Sequence, residues 1–183
     1  MEIVAIYPPY IYSVRYENSP ENEFDRLFEI WNDVDYVANF METNKSYFQN
    51  DFWRDRMNVE KATLQVLEEA EAMEDFFFEL NENTKGDKKP DFDSVFHYLD
   101  GKYKYELLWQ PMKSYGNYNP SLLRLYAIKL QEPNTYLITG GGIKLADTIQ
   151  NSPDLKDHVF QNIDKVRQYL RENGILDSED LIE

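Results

Sequence analysis

Apolar residues recur at helical spacing over two stretches of the first half of the chain. From Phe24 to Met41 they return every three or four residues, which predicts one helix that begins at Ser19-Pro20-Glu21 and ends near Thr43. The same spacing predicts a second helix after Asn58 that runs to about Asn81. The polar segment 81–93, which contains glycine and proline, is predicted to be a loop.

A closing helix is predicted from about Asp154. Ser152-Pro153-Asp154 has the order of an N-cap, a proline at the first helical position and an acid in the first turn. Apolar residues follow from Leu155 to Leu170 at intervals of three and four, and Asn173-Gly174 supplies a stop. We expect Leu155, Val159 and Ile163 to be buried against a sheet.

Between these helices the period changes to that of strands. Tyr103–Trp109, Leu122–Leu130 and Thr135–Thr139 are short runs rich in aromatic and β-branched residues, and 113–121 is predicted to project as a loop. These three strands are predicted to form one antiparallel meander. A further strand is predicted at Tyr10–Tyr16, after two prolines.

This order predicts a single α+β domain over residues 1–183. It comprises two N-terminal helices, a small antiparallel sheet made of the three-strand meander and the N-terminal strand, and the C-terminal amphipathic helix. At 183 residues the chain can bury a core, and its 42% hydrophobic content is too high for disorder.

Cysteine usage and hydropathy predict where the protein works. The sequence has no cysteine, no signal-peptide pattern at its start and no apolar run of about 20 residues. We therefore expect a cytoplasmic protein that does not enter a membrane. No cofactor or metal is expected, since cysteine is absent and the two histidines have no metal-ligand spacing.

Charge is distributed unevenly along the chain. The net charge is −15, yet residues 101–149 carry six Lys and Arg against three Asp and Glu. A strongly acidic protein does not bind nucleic acid non-specifically, because phosphate contacts need Lys or Arg. The predicted sheet is the basic exception, and we expect Arg124, Lys144 and at least one further base to share a non-acidic patch.

Two segments of the predicted sheet offer candidate chemistry. Gly140-Gly141-Gly142 precedes Lys144, where backbone amides and a lysine can bind phosphate, or where the glycines mark a bulge or a close backbone approach. Arg124 and Lys129 differ in parity and should point to opposite faces, while Tyr126 shares the parity of Arg124. An arginine with a tyrosine and a lysine can bind a phosphodiester and stack a base, although a lone strand arginine is also a common cross-strand ion partner.

The segment from Tyr103 to Leu170 resembles the HigB-like branch of the RelE/ParE toxin superfamily. The resemblance rests on YELL at Tyr105–Leu108, LRLYAIKL at Leu123–Leu130, TYLITGGGIKLADTIQNSP at Thr135–Pro153, and the helix that follows. It covers about 70 residues and its motifs are loose. Arg124 corresponds to the family's strand arginine and Lys144 to its turn lysine, while Leu108 stands where a second arginine is expected.

This resemblance implies an mRNA endoribonuclease of a toxin–antitoxin module, active on the ribosome and covered by an antitoxin protein. Arg124 and Lys144 would neutralise the phosphate, and Tyr126 or Lys129 would position the nucleotide. Cleavage by a ribose 2′-hydroxyl requires no metal. The alternative is a catalytically inactive member of the same fold, in which the acidic face docks a basic protein.

Overall fold

The computed structural model of the protein describes residues 1–83, 90–131 and 134–181, so that residues 84–89 of the loop predicted at 81–93 lie outside the described residues. The helices and strands in chain order are β1 (Glu2–Tyr7), β2 (Ile11–Arg15), α1 (Glu23–Asn32), α2 (Val34–Thr43), α3 (Val59–Glu82), β3 (His97–Tyr98), β4 (Gln110–Tyr115), β5 (Leu123–Leu130), β6 (Thr135–Ile143) and α4 (Val159–Glu172). The fold class is α+β, as predicted.

The strands form one mixed sheet in the order β1-β2-β6-β5-β4-β3. The antiparallel pairing of β5 with β6 is confirmed, and the third strand of the meander is β4 rather than the predicted Tyr103–Trp109, but β2 and β6 pair in parallel. The prediction of a small, purely antiparallel sheet was therefore wrong. Three helices separate β2 from the meander, which is enough chain for the crossover that parallel pairing requires.

Strand β1 was missed because the first strand was predicted to lie after the two prolines. They lie instead in the turn of a hairpin, and β1 pairs antiparallel with β2 on their other side. The strand predicted at Tyr10–Tyr16 is confirmed as β2, Ile11–Arg15.

The long helix predicted from Ser19 to Thr43 is divided in two at Asp33. The carboxylate of Asp33 accepts hydrogen bonds from the backbone amides of Asp35 and Tyr36, while its own backbone is extended. An aspartate that bonds local amides in this way starts a new helix rather than continuing the old one. The cap of α1 is Asn22 and not Ser19.

The start of α3 is confirmed at the predicted residue. The side chain of Asn58 accepts a hydrogen bond from the amide of Lys61 at 2.9 Å. We expect Asn58→Ala to lower the free energy of unfolding by about 1 kcal/mol, because one amide at the helix start loses its partner. Urea denaturation measures the loss, with Asn39→Ala on the exposed side of α2 as the control; an equal change in both variants would contradict the capping role.

The strand predicted at Tyr103–Trp109 was wrong. Gly101–Tyr105 forms a 3₁₀ turn that Asp100 caps through the amide of Lys102, and Tyr105 is 83% exposed. The strand lies further along as β4, Gln110–Tyr115, and its second half falls in the segment 113–121 that is predicted to project as a loop. Local capping by an aspartate outweighs the strand preference of tyrosine, which depends on a sheet surface to pack against.

The closing helix begins at Val159, five residues after the predicted start. Ser152 and Asp154 instead hydrogen-bond the backbone at the end of β6. The Ser152 hydroxyl accepts a hydrogen bond from the amide of Leu145, and the Asp154 carboxylate accepts one from the amide of Ile143 at 2.7 Å. The predicted stop is confirmed, since α4 ends at Glu172 and Gly174 has a φ of 68°.

Both faces of the sheet are covered by helices. Side chains of α1, α2 and α3 pack with Leu123, Leu125 and Ala127 on one face. Side chains of α4 pack with Tyr126, Ile128 and Leu130 on the other. Leu155, Val159 and Ile163 are buried as predicted. No helix among the described residues is both long and apolar enough to span a bilayer.

Candidate functional site

Three cations lie across neighbouring strands on the face of the sheet that carries α4. Arg124 of β5 is paired with Tyr115 of β4 and with Gly142 of β6. Lys113, two residues before Tyr115, and Lys144, two residues after Gly142, are therefore diagonal neighbours of Arg124 on the same face. We call Lys113, Arg124 and Lys144 the cation triplet.

The cation triplet is bonded to backbone and not to acids. Within residues 1–83, 90–131 and 134–181, none of the three forms an ion pair. Each donates to backbone carbonyl oxygens instead: Lys113 to Leu99 at 3.0 Å, Arg124 to Ser121 at 3.0 Å and to Leu123 at 2.7 Å, and Lys144 to Asp147 at 2.7 Å. The positive charges are thus oriented but not neutralised, which suits binding of an anion.

The charges of Arg124 and Lys113 act on Lys144. Burial, followed by the charges of Arg124 and Lys113, holds the pKa of Lys144 below its ordinary value, and Asp147 opposes them more weakly. Burial likewise lowers the pKa of Arg124, which stays protonated at every physiological pH. An anion that entered this site would relieve the repulsion.

Aromatic rings flank the cation triplet at the outer edge of the sheet. The guanidinium carbon of Arg124 lies 4.6 Å from the centre of the Tyr115 ring, within the range of a cation–π contact. The imidazole of His97 stacks on the same ring, with centroids 5.5 Å apart. Tyr115 is 39% exposed, so a ligand can reach this group.

A buried carboxylate on α3 holds the strand that carries Arg124. Glu69 is 0% exposed and accepts from the amide of Leu123 at 2.8 Å, the amide of Leu122 at 3.0 Å and the hydroxyl of Ser121 at 2.8 Å. The carbonyls of Ser121 and Leu123 are the acceptors for Arg124. Glu69 therefore positions the arginine through the backbone.

The other two residues predicted for the site are placed differently. Tyr126 lies under the helix α4, is 1% exposed, and has a pKa raised by burial, so its ring is not available to stack on a base. Lys129 points to the opposite face, as its parity indicated, and forms an ion pair with Asp93 at 2.8 Å. Burial alone would raise the pKa of Asp93, but hydrogen bonds from Lys129, Tyr136 and Asn134 hold it below its ordinary value. Arg124 and Lys144 are brought together, and Lys129 is not.

The three glycines form the end of β6 and not a phosphate loop. The pairing of β5 and β6 shifts between Tyr126 and Ala127, beside Gly140, whose φ is 152°. A Cβ on Gly141 would lie 2.6 Å from the backbone oxygen of Arg124. All three glycines are buried. The geometry therefore supports the interpretation that they form a bulge with close backbone packing.

Sequence reasoning missed Lys113, Tyr115, His97 and Glu69. Lys113 and Tyr115 alternate along β4 and share a face with Arg124, but the segment was assigned to a loop. Glu69 lies among the acids Glu68, Glu71 and Glu74 of the second helix, and acids on such a helix usually form a solvated face. Its isolation among apolar residues of the helical pattern, with Val66, Ala70 and Met73 nearby, was the available signal.

Comparison with family models, with curated proteins and with solved structures gave no match. The site must therefore be judged by its own geometry. Within the described part of the chain no three His, Asp or Glu side chains are close enough to hold a metal ion.

Proposed function

We propose that the cation triplet binds the phosphate backbone of RNA, and that the chain is a RelE/HigB-like toxin that cleaves mRNA on the ribosome. The observation that carries the proposal is the triplet itself: three oriented cations that form no ion pair among the described residues, in a chain of net charge −15. Like charges held close together repel one another, and a bound anion offsets that repulsion. Phosphate is the anion that Arg and Lys side chains on a sheet most readily recognise in RNA.

The proposed reaction is attack of a ribose 2′-oxygen on the adjacent phosphorus. The bond from phosphorus to the 5′-oxygen breaks, which leaves a 2′,3′-cyclic phosphate and a 5′-hydroxyl, and no other reactant is consumed. Arg124 and Lys113 stabilise the charge that develops on the non-bridging oxygens. His97 accepts the proton of the 2′-hydroxyl, and Lys144, whose pKa is lowered by burial and by its two neighbours, donates a proton to the leaving oxygen.

The same proposal specifies two binding partners, a substrate and an inhibitor. Ribosome-bound mRNA is the substrate, and a small antitoxin that covers the cation triplet with acidic residues is the inhibitor. Both partners belong to the cytoplasm.

Induction of the chain in cells that lack the antitoxin is expected to arrest growth, and substitution within the triplet should relieve the arrest. We expect Arg124→Ala and Lys144→Ala each to slow cleavage by about 100-fold, since each removes one charge that stabilises the transition state. Mapping of mRNA 5′ ends on ribosomes measures the cleavage. Lys61→Ala, which removes the same charge from an exposed site on α3, is the matched control.

Measurement of RNA binding tests the electrostatic role of the cation triplet separately from its role in cleavage. Each triplet cation lost should reduce the dependence of log K on log salt by about 0.7, the value for a single strand. Normal growth, no new 5′ ends, and RNA binding that does not change with salt, from protein with a native circular dichroism spectrum, would contradict the proposal.

A protein-binding function is the second candidate, and one groove favours it. The groove lies between α1 and α3, and five acids line it together with Phe28 and Asn32: Glu21, Asp25, Glu29, Asp33 and Glu74. A hydrogen bond shared with Glu29 and the repulsion between the two carboxylates raise the pKa of Glu21. A basic partner would relieve that repulsion. Salt-sensitive binding of a basic peptide that Glu29→Gln weakens, without any RNA binding, would favour this reading.

A further inference from the structure

A cleft of about 400 Å³ lies at the outer edge of the sheet, and its lining includes Tyr115, which Arg124 of the cation triplet contacts. Met73 and Phe76 of α3 contribute apolar surface, and Val95 contributes more from the segment before β3. His97 and Tyr115 line the cleft from β3 and β4. A volume of this order lies within the range of sites that hold small organic ligands.

The cleft and the cation triplet meet at Tyr115. Arg124 lies 4.6 Å from the centre of that ring and His97 stacks on it, and both His97 and Tyr115 line the cleft. A ligand in the cleft is therefore one side chain away from the arginine. The ligand that fits must combine a flat apolar body with an adjacent anion.

The exposed aromatic surface supports the same conclusion. Phe76 is 45% exposed and Tyr115 is 39% exposed, and both line the cleft. Exposed planar rings beside cations that bind phosphates are the usual platform on which bases of single-stranded nucleic acid stack. The amide of Asn117, which also lines the cleft, can hydrogen-bond a base edge.

We infer that this cleft binds one unpaired nucleobase of the RNA strand whose phosphate lies on the cation triplet. The inference rests on the proposed function and deepens it, because it makes the chain a reader of single-stranded RNA with a base held beside the phosphate. Stacking on Phe76 and on the His97–Tyr115 pair supplies the affinity. A duplex, whose bases are already stacked, is excluded.

The test compares two short single strands of equal length and phosphate number, one complete RNA and one in which the bases are absent. Wild-type protein is expected to bind the complete strand about ten-fold more tightly, since stacking of a single base contributes about that factor. Phe76→Ala should abolish this difference and leave binding of the strand without bases unchanged. Phe78→Ala, at a ring of α3 that is 54% exposed and does not line the cleft, is the matched control.

Arg124→Ala separates the two proposals because it should weaken binding of both strands. A 2-aminopurine base in the complete strand should lose fluorescence on binding to wild type and keep it with Phe76→Ala. Equal binding of the two strands by wild-type protein would overturn the base site and leave phosphate binding in place. Absence of binding to either strand would overturn both proposals. The comparison on wild-type protein does not depend on whether any variant folds.

Discussion

Replacement of Glu69 by alanine is expected to lower the free energy of unfolding by about 3–5 kcal/mol. The carboxylate is fully buried and accepts from two backbone amides, one hydroxyl and the amide of Gln65 at 2.7 Å. Alanine would leave these donors unpaired and open a cavity, and each buried unpaired donor costs about 1–3 kcal/mol. Urea denaturation followed by circular dichroism measures the loss.

The matched control is Glu71→Ala, an exposed acid one half-turn further along α3, for which we expect a change within about 0.5 kcal/mol. Glu69→Gln keeps the volume but turns an NH₂ group toward backbone donors, and we expect it to displace Arg124 and weaken RNA binding more than Glu71→Gln does. Equal stability of Glu69→Ala and Glu71→Ala would contradict the structural role of this carboxylate.

Glu69 also makes the free energy of unfolding depend on pH, in a direction that follows from its raised pKa. Burial raises its pKa above the ordinary 4.5, against the opposing effect of its hydrogen bonds. The folded state therefore binds a proton that the unfolded state has already released, and the contribution of Glu69 to the free energy of unfolding decreases as the pH rises above about 4.5. The Glu69→Gln variant should lack this component.

Replacement of Gly141 by alanine is expected to destabilise the protein by about 3 kcal/mol or more. The new Cβ would lie 2.6 Å from the backbone oxygen of Arg124 and 2.9 Å from a methyl carbon of Leu27. The oxygen belongs to the backbone of β5 and cannot rotate away, and Leu27 is only 1% exposed in the core, so the pairing of β5 and β6 or the packing of α1 must shift. Thermal and urea denaturation measure the loss.

Gly101→Ala is the matched control, because a Cβ at that position would meet nothing within 4 Å. We expect it to be neutral or slightly stabilising. A stable Gly141→Ala variant that has lost RNA binding would reverse the conclusion, since it would return the glycine segment to the role of a phosphate-binding loop.

The elements that the sequence predicted well are those whose signal is local. Asn58 caps α3 where the pattern placed it, Gly174 ends α4, and β5 and β6 follow from strand-like runs. A cap or a stop is a contact among neighbours in the chain, so the residues that decide it are all visible in one window of sequence.

The predicted element bounds were wrong where a polar side chain could hydrogen-bond either to its neighbours in the chain or to a distant strand. Asp33 divides a predicted helix, and Asp154 bonds the end of β6 rather than starting α4. Tyr103–Trp109 has strand-forming residues but no strand to pair with, and β4 lies further along the chain. Period and propensity carry no information about which partner will be near.

The sequence by itself determined the α+β class, the helical pattern, the basic character of the sheet segment, and Arg124 and Lys144 as its candidate cations. Only the tertiary structure placed Lys113, Tyr115 and His97 beside Arg124, turned Lys129 to the other face, and buried Glu69 beneath the arginine. The physical reason is that a binding site is a convergence of side chains from separate strands and helices. Strand register sets which residues meet, and distant packing against α3 sets where the strand lies.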